Sequence, residues 1–443
     1  MLVVAITLLA VLVSTKLLSL AYKGGSPISV SATALDREYA AFERLYLFTY
    51  LMVMGSDWLQ GPYVYELYSS YGFSQNQIAT LFVTGFGSSM IAGTVIGSLA
   101  DKFGRKKCCQ LFCVLYFIAC LLKHSDRFSI LMCGRLLSGI STSILYSSFE
   151  SWLIKQHHSK GYNGASLPLT FSKATLGNGI VAIFSGVVAN SAYDKLGSVG
   201  PFDVAALLLA ISLFTITLFW DENYGDSSVE IETSFKNAIE HLRQSPETLS
   251  LGIVQSLFES SMYIFVFLWT PSLDSSLDSP IQHGWVFACF MICTMIGSSL
   301  FSILLDLKIS VETSSPFIFI AASLALLIPA VSQSFNPRLF AFFLFEICCG
   351  LFWPSMGTLR GRLIPDSLRS TIMNLYRIPL NLIVVLTLLT LDQLAHTAVW
   401  IICSTMLTAA AMLQYSNRHL YKTAAAAREK SLNAASEKSL HVE

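Results

Sequence analysis

The fold is decided by one charged stretch, Gly97-Ser98-Leu99-Ala100-Asp101-Lys102-Phe103-Gly104-Arg105-Lys106-Lys107, which lies between two long apolar runs. It contains four cations, one carboxylate and two glycines. The glycines permit a tight turn, and the charges keep the stretch out of the hydrocarbon core of a bilayer. We interpret it as a short loop between two membrane-spanning helices, and its cations favour the cytoplasmic side.

The composition of the chain is that of a polytopic membrane protein. Of 443 residues, 53% are hydrophobic and 13% are charged, whereas ordinary soluble proteins carry roughly 25% charged residues. The 28 cations balance the 28 anions, which excludes a basic surface for nucleic acid. Because a spanning helix needs about 20 mostly apolar residues, we expect an apolar N-terminal helix at 2–22 and about twelve spans, near 44–66, 78–100, 108–123, 128–152, 171–192, 202–220, 248–271, 283–305, 314–332, 338–360, 371–392 and 395–416.

The distribution of charges sets the orientation and the domain boundaries. With the 97–107 loop inside, the outer loops hold few cations, namely Lys123, Arg127, Lys195 and Arg338. A polar, mostly acidic segment separates six spans from six. The predicted organisation is an N-terminal apolar helix and linker at 1–40, a six-helix bundle at 41–220, a cytoplasmic loop at 221–247, a second six-helix bundle at 248–420 and a cytoplasmic tail at 421–443.

Charged residues inside the spans recur between the two halves, at offsets of 202, 211 and 204 residues: Asp57 with Glu259, Arg135 with Glu346, and Lys173 with Arg377. Weak internal similarity of this kind is typical of transporters built from repeats. An ionisable group inside a membrane is costly unless it faces protein or water, so each of these residues is a candidate for function.

Structural interpretations stand beside the functional ones. Lys173 could extend its ammonium to the inner membrane surface. Arg135 and Glu346 are equally explained by pairing between helices. The aromatic side chains near Asp57, including Tyr63, could be packing residues.

The charged loop and its expected partners are interpreted as an inner gate. Asp101 and Arg105 are expected to pair across the interface between the bundles, close to Glu150. Glu150 itself is expected to pair with a cation of an inner loop, Arg105 or Arg360. The residues assigned to gating or structural charge are therefore Gly97, Asp101, Gly104, Arg105, Arg135, Glu150, Glu346 and Arg360.

Several motifs resemble a known family. The 97–107 stretch resembles the loop between the second and third helices of the major facilitator superfamily. Narrower strings resemble one branch of it, the molybdate-anion transporter family: Asp57-Trp58-Leu59-Gln60-Gly61-Pro62-Tyr63-Val64-Tyr65, Phe149-Glu150-Ser151-Trp152, Phe265-Val266-Phe267-Leu268-Trp269-Thr270-Pro271 and Asn374-Leu375-Tyr376-Arg377-Ile378-Pro379-Leu380. The likeness runs from about 40 to 420.

The resemblance implies an all-α membrane protein with the major facilitator fold and uptake of molybdate by alternating access. The sequence has no phosphate-binding loop, nucleophile elbow or metal-ligand spacing, so neither an enzyme nor a cofactor is expected. The expected location is the plasma membrane. A transporter of another oxyanion or small solute, and a nutrient sensor or scaffold that moves no solute, remain as alternatives.

Molybdate is a tetrahedral dianion, which needs converging cations and hydrogen-bond donors. For these we nominate Lys173, Arg377, Asn178, Asn374 and Tyr63. Importing two negative charges against an inside-negative potential costs about 4.6 kcal/mol per 100 mV. We therefore expect proton cotransport, with Asp57 or Glu259 as the group that is neutralised during loading.

Overall fold

The computed structural model describes residues 2–23, 34–164, 166–225, 231–277, 279–365, 368–424 and 426, and the regular structure in these ranges is helical. Parts of the predicted N-terminal linker, central loop and tail lie outside them. The sixteen α-helices are α1 (Leu2–Lys23), α2 (Ala34–Trp58), α3 (Val64–Ser70), α4 (Gln75–Phe103), α5 (Arg105–Leu122), α6 (Phe128–Leu145), α7 (Ser148–Ser159), α8 (Ser166–Leu196), α9 (Gly200–Phe219), α10 (Ile231–Gln244), α11 (Pro246–Asp274), α12 (His283–Asp306), α13 (Val311–Val331), α14 (Phe335–Leu363), α15 (Arg369–Leu389) and α16 (His396–Ser416).

Ten helical segments among the described residues are long and apolar enough to cross a membrane. They account for ten of the predicted spans. The remaining two predicted spans are the helices α2 and α5. Their charged residues, such as Glu43 in α2 and Arg105 in α5, lower the apolar character of these helices.

The chain divides into two compact units. Unit 1 comprises Met1–Thr7, Gly25–Val229 and Pro280–Ile292, and unit 2 comprises Leu8–Gly24, Glu230–Ser279 and Cys293–Glu443. In unit 1, α2 packs on α8 and α9, and α5 packs on α6 and α9. In unit 2, α11 packs on α15 and α16, and α13 packs on α14 and α16. The same four pairings occur in each unit, which is the internal repeat that the charged residues indicated.

Two predicted spans are interrupted. The first was expected to run continuously over 44–66, but α2 ends at Trp58 and a 3₁₀ turn follows at Gly61–Tyr63. Pro62 lacks the N–H group that would continue the helix. The fourth was expected over 128–152, but α6 ends at Leu145, where Ser147 bonds its hydroxyl to the carbonyl of Ser143 at 2.8 Å. Such local hydroxyl bonds compete with the regular backbone pattern.

Candidate functional site

Lys173 lies in the seam between α2 and α8 of unit 1, where it pairs with a glutamate. Its Nζ is 2.6 Å from Oε2 of Glu43. Glu43 also accepts a 2.7 Å hydrogen bond from the hydroxyl of Thr170, which is 2.5 Å from the hydroxyl of Tyr39. The Glu43 side chain is 10% exposed and that of Lys173 is 57% exposed. The predicted substrate cation of unit 1 is therefore already matched by a buried carboxylate.

Asn178 and Tyr63, both predicted to donate to the substrate, lie farther along the same seam. Asn178 Oδ1 accepts a 2.8 Å hydrogen bond from the indole N–H of Trp58, which fixes the amide. Tyr63 is buried, donates a 3.0 Å hydrogen bond to Asn190 Oδ1 and stacks on the ring of Tyr193. The Tyr63 hydroxyl thus connects the 3₁₀ turn at Gly61–Tyr63 to α8, which is the contact that a packing residue would make.

Asp57 lies within a polar cluster of unit 1. Its carboxylate accepts a 2.6 Å hydrogen bond from Tyr116 of α5 and interacts electrostatically with Lys123 and Arg135. The sequence assigned Lys123 to an outer loop, but it is only 3% exposed, and its Nζ donates a 2.9 Å hydrogen bond to Gln60. A buried ammonium needs such partners. The cluster thus joins the end of α2 to α5 and α6.

Glu259 in unit 2 forms a chain of polar contacts from α11 to α14. It accepts a 2.8 Å hydrogen bond from the side-chain amide of Gln255, one turn earlier. The Gln255 oxygen accepts a 3.1 Å hydrogen bond from Arg360. Arg360 and Arg377 both interact electrostatically with Glu259. Three residues chosen separately from the sequence, Glu259, Arg360 and Arg377, therefore belong to one cluster.

Arg377 is half-buried in α15, and its guanidinium makes no hydrogen bond to any residue that the structure describes. Neighbouring groups hold the helix instead: Tyr376 donates a 2.5 Å hydrogen bond to the carbonyl of Thr248, and Ser256 donates one of 3.0 Å to the carbonyl of Tyr376. Asn374, the other predicted donor, is half-buried on the same helix. Arg377 thus interacts with Glu259 without a hydrogen bond to a described residue, whereas Lys173 forms a 2.6 Å ion pair with Glu43.

Arg135 lies one helical turn before a glycine contact in unit 1. Its Nε donates a 3.1 Å hydrogen bond to the carbonyl of Leu81 in α4. One turn later, Gly139 touches α4 so closely that an added Cβ would lie 2.3 Å from the carbonyl oxygen of Gly85. Arg135 therefore borders a close crossing of α4 and α6.

Glu346 occupies the corresponding place in unit 2. It accepts a 2.9 Å hydrogen bond from the hydroxyl of Thr294 in α12. A Cβ added at Gly350 would lie 2.0 Å from the carbonyl oxygen of Thr294, and one added at Gly297 would lie 2.9 Å from the Cα of Gly350. Small residues that let backbones approach closely are typical of membrane helix crossings. Both charged residues thus border equivalent crossings.

The charged loop of unit 1 is closed by its own residues. Gly104 has a φ of +113° and separates α4 from α5. Asp101 and Arg105 form a 2.7 Å ion pair across this break, and Arg105 also donates a 2.8 Å hydrogen bond to the carbonyl of Ser151. The expectation that Arg105 pairs with Glu150 is not met: Glu150 is exposed and forms no ion pair with the part of the chain described.

A short segment at 220–225, which we call the strap, binds this loop from the other side. The Glu222 carboxylate accepts hydrogen bonds of 2.8 and 3.3 Å from the backbone N–H groups of Lys106 and Lys107 at the start of α5. The Trp220 indole stacks on that of Trp152 at 3.7 Å. A carboxylate at a helix N-terminus is favoured by the unpaired N–H groups and the helix dipole. The strap thus fixes the loop end of unit 1.

The sequence analysis did not select three residues of these clusters as site candidates, namely Glu43, Lys123 and Glu222. Glu43 precedes Asp57 by fourteen residues, about four helical turns, so helical periodicity could have placed both on one face. Lys123 was counted as a loop cation because it directly follows an apolar run. Glu222 was counted among the acidic residues of the central loop, and only its position beside the start of α5 distinguishes it.

Comparison with known proteins identifies the family. Residues 4–341 match a family model described as sugar transporters with 12 transmembrane segments. A molybdate-anion transporter of Xenopus tropicalis is 38% identical over 380 residues, which cover 82% of each chain. A molybdate-anion transporter of Takifugu rubripes is 33% identical over 398 residues, again 82% of each chain.

This chain belongs to the molybdate-anion transporter family of the major facilitator superfamily. The solved structure of a D-xylose–proton symporter has a TM-score of 0.66 to it at 11% identity, covering 85% of this chain and 97% of that chain. That likeness concerns the fold. The predicted all-α major facilitator fold is confirmed, and the protein is a multi-pass membrane transporter rather than an enzyme.

Proposed function

We propose that the protein takes up molybdate across the plasma membrane by alternating access. The curated relatives that cover 82% of the chain are molybdate-anion transporters. In this proposal the bundles at 41–220 and 248–420 are the moving parts. The charged loop with Gly97, Asp101, Gly104 and Arg105 is the inner gate, together with Glu150 and Arg360.

The observation that carries the proposal is the half-buried guanidinium of Arg377, which lies in the electrostatic field of Glu259 but makes no hydrogen bond to a described residue. A cation inside a membrane protein is costly unless something compensates it; Glu259 compensates Arg377 electrostatically, while the N–H groups of the guanidinium donate to no described residue. A guanidinium presents paired N–H groups that suit two oxygens of a tetrahedral oxyanion. We assign Arg377 as the principal ligand, with Lys173, Asn178 and Asn374 as further ligands. Tyr63 supports this site through Asn190.

The charge of the substrate argues for cotransport. Without a coupling ion, a membrane potential of 100 mV opposes entry of a dianion by about 4.6 kcal/mol, a concentration ratio of more than a thousandfold. Two protons per molybdate would cancel this charge. Asp57 and Glu259 are the proposed proton carriers. Glu259 interacts electrostatically with Arg377. Protonation of Glu259 would remove its negative charge, and Arg377 would then attract an anionic substrate more strongly.

The test is uptake of labelled molybdate into liposomes that contain the purified full chain, with sulfate as competitor and with an imposed pH gradient. We expect accumulation that collapses with the gradient. Arg377→Ala should lower the apparent affinity about tenfold or more, because a charge-assisted contact is lost. The matched control is Arg243→Ala, which removes an exposed arginine of the same unit and should leave uptake unchanged.

Three outcomes would refute parts of the proposal. If Arg377→Ala transported molybdate as the unaltered chain does, the assignment of that ligand would be wrong. If collapse of the pH gradient had no effect, proton coupling would be wrong. If the protein bound molybdate but never accumulated it, it would be a sensor rather than a transporter.

A further inference from the structure

Arg360 of α14 has hydrogen-bonding capacity that the described residues leave unused. Its guanidinium is half-buried and carries five N–H groups. Nη1 donates a 3.1 Å hydrogen bond to the side-chain oxygen of Gln255, and no other hydrogen bond joins this guanidinium to a described residue. The guanidinium of Arg377 is half-buried as well and donates to no described residue. Two guanidiniums of unit 2 therefore have N–H groups available for a further acceptor.

One carboxylate lies in the field of these two cations. Glu259 interacts electrostatically with both arginines, but its hydrogen bond comes from the side-chain amide of Gln255. With two positive charges and one negative, the cluster has an excess of positive charge when Glu259 is ionised. Uncompensated charge inside a membrane protein is costly, so this cluster favours the binding of an anion.

The space beside the Arg360 guanidinium is open. Trp353, Gly357 and Gly361 follow one another at four-residue spacing on α14 and form an exposed line next to Arg360. A Cβ added at Gly357 would have Nη2 of Arg360 as its nearest neighbour, at 4.0 Å. Because Arg360 donates to Gln255 in α11, its side chain is directed into unit 2 and not toward lipid headgroups. An anion thus has room to reach this guanidinium.

The internal repeat shows that the fold itself does not require a cation at this position. The offset of 211 residues that relates Arg135 to Glu346 places Phe149 in the position of Arg360. Phe149 is fully buried in unit 1 and carries no charge. The cation is therefore a feature of unit 2 and not of the repeated architecture.

We propose that Arg360 is a second substrate ligand, which binds a tetrahedral dianion together with Arg377. The inference rests on the proposed function, which places Arg360 in the inner gate, and it adds the property by which the site selects its substrate. Each guanidinium can donate two parallel N–H groups to two oxygens of an oxyanion, so a pair of them suits the four oxygens of a tetrahedron. Two cations also favour a double negative charge over a single one.

The test compares molybdate with perrhenate, a tetrahedral monoanion of similar size, by calorimetric titration of the purified full chain near neutral pH. Arg360→Gln should weaken molybdate binding about tenfold, the loss expected from one charge-assisted contact. Because the Coulomb energy is proportional to the charge of the anion, the same variant should weaken perrhenate binding only about threefold. The preference for the dianion should therefore fall about threefold, whereas a residue that acts only as a gate would leave this equilibrium preference unchanged.

Two further variants separate the effect of charge from a general disturbance. The matched control is Arg243→Gln, which removes an exposed arginine of the same unit and should bind both anions as the unaltered chain does. Arg360→Lys keeps the positive charge but loses the paired N–H groups. It should weaken molybdate binding about threefold while preserving the preference for the dianion, and it replaces Arg360→Gln if that variant does not fold.

The inference is overturned if Arg360→Gln, or Arg360→Lys where only that variant folds, binds molybdate as the unaltered chain does. An equal loss of affinity for the two anions in Arg360→Gln also overturns it. In both cases the proposed function stands, provided that the unaltered chain accumulates molybdate and Arg377→Ala loses affinity. If the unaltered chain neither binds nor accumulates molybdate, the proposed function itself fails.

Discussion

The close crossing of α12 and α14 predicts that two glycines of one helix respond in opposite directions to the same substitution. A Cβ at Gly350 would lie 2.0 Å from the carbonyl oxygen of Thr294, whereas ordinary contacts begin at 3.4 Å. Gly350→Ala therefore requires the two helices to separate by about 1.4 Å. At Gly357, two turns later, the nearest atom is 4.0 Å away.

The expected cost follows from three terms. Overpacking of a close contact costs about 1–3 kcal/mol. Separation of the helices also lengthens the 2.9 Å hydrogen bond from Thr294 to Glu346, which adds about 1 kcal/mol. The higher helix propensity of alanine offsets about 1 kcal/mol of this loss of stability. The net loss for Gly350→Ala is about 1–3 kcal/mol, whereas Gly357→Ala has the propensity gain alone.

Thermal unfolding in detergent with a thiol-reactive fluorescent dye measures this difference, because nine of the ten cysteines are buried and unpaired in the folded chain. Gly350→Ala should lower Tm by about 2–12 °C, at roughly 2–4 °C per kcal/mol. Gly357→Ala should leave Tm unchanged or slightly raised. Equal Tm values for the two variants, or a higher value for Gly350→Ala, would refute the inferred crossing.

Two further predictions concern unit 1. Glu222→Gln removes the negative charge at the start of α5 and should cost about 1 kcal/mol, which dye-monitored unfolding would detect as a lower Tm; an unchanged Tm at low salt would contradict the capping role. Tyr116→Phe removes the 2.6 Å hydrogen bond to Asp57. It should change the pH profile of molybdate uptake while leaving the total amount of folded protein near normal, and an unshifted profile would show that this bond does not tune Asp57.

The fold could be predicted from the sequence because its hydropathy, its charged loop and its repeated intramembrane charges all indicated the same architecture. Apolar runs of membrane-spanning length, the loop at 97–107 and the repeated charges all require helices in two related sets. The interruptions at Pro62 and Ser147 were missed because hydropathy does not register the loss of an N–H group or a local hydroxyl bond. These features move helix ends without altering the order of the helices.

The candidate site was predicted less completely. The sequence selected Glu259, Arg360 and Arg377 for separate reasons, and the structure groups them around one carboxylate. It did not reveal that Lys173 is paired with Glu43, because the two residues are 130 positions apart and their contact depends on how α2 and α8 are rotated against each other. Helical periodicity fixes the face of a single helix, but the partner of that face is set by packing.

The stacked indoles of Trp152 and Trp220 give the protein an intrinsic optical reporter. At 3.7 Å their excited states couple strongly, and both rings are almost fully buried. Near-ultraviolet circular dichroism and tryptophan emission would therefore record whether the strap stays attached to unit 1 as substrate binds. Trp220 lies two residues before Glu222, which caps the start of α5. A spectral change on adding molybdate would therefore report a rearrangement of the strap without any attached label.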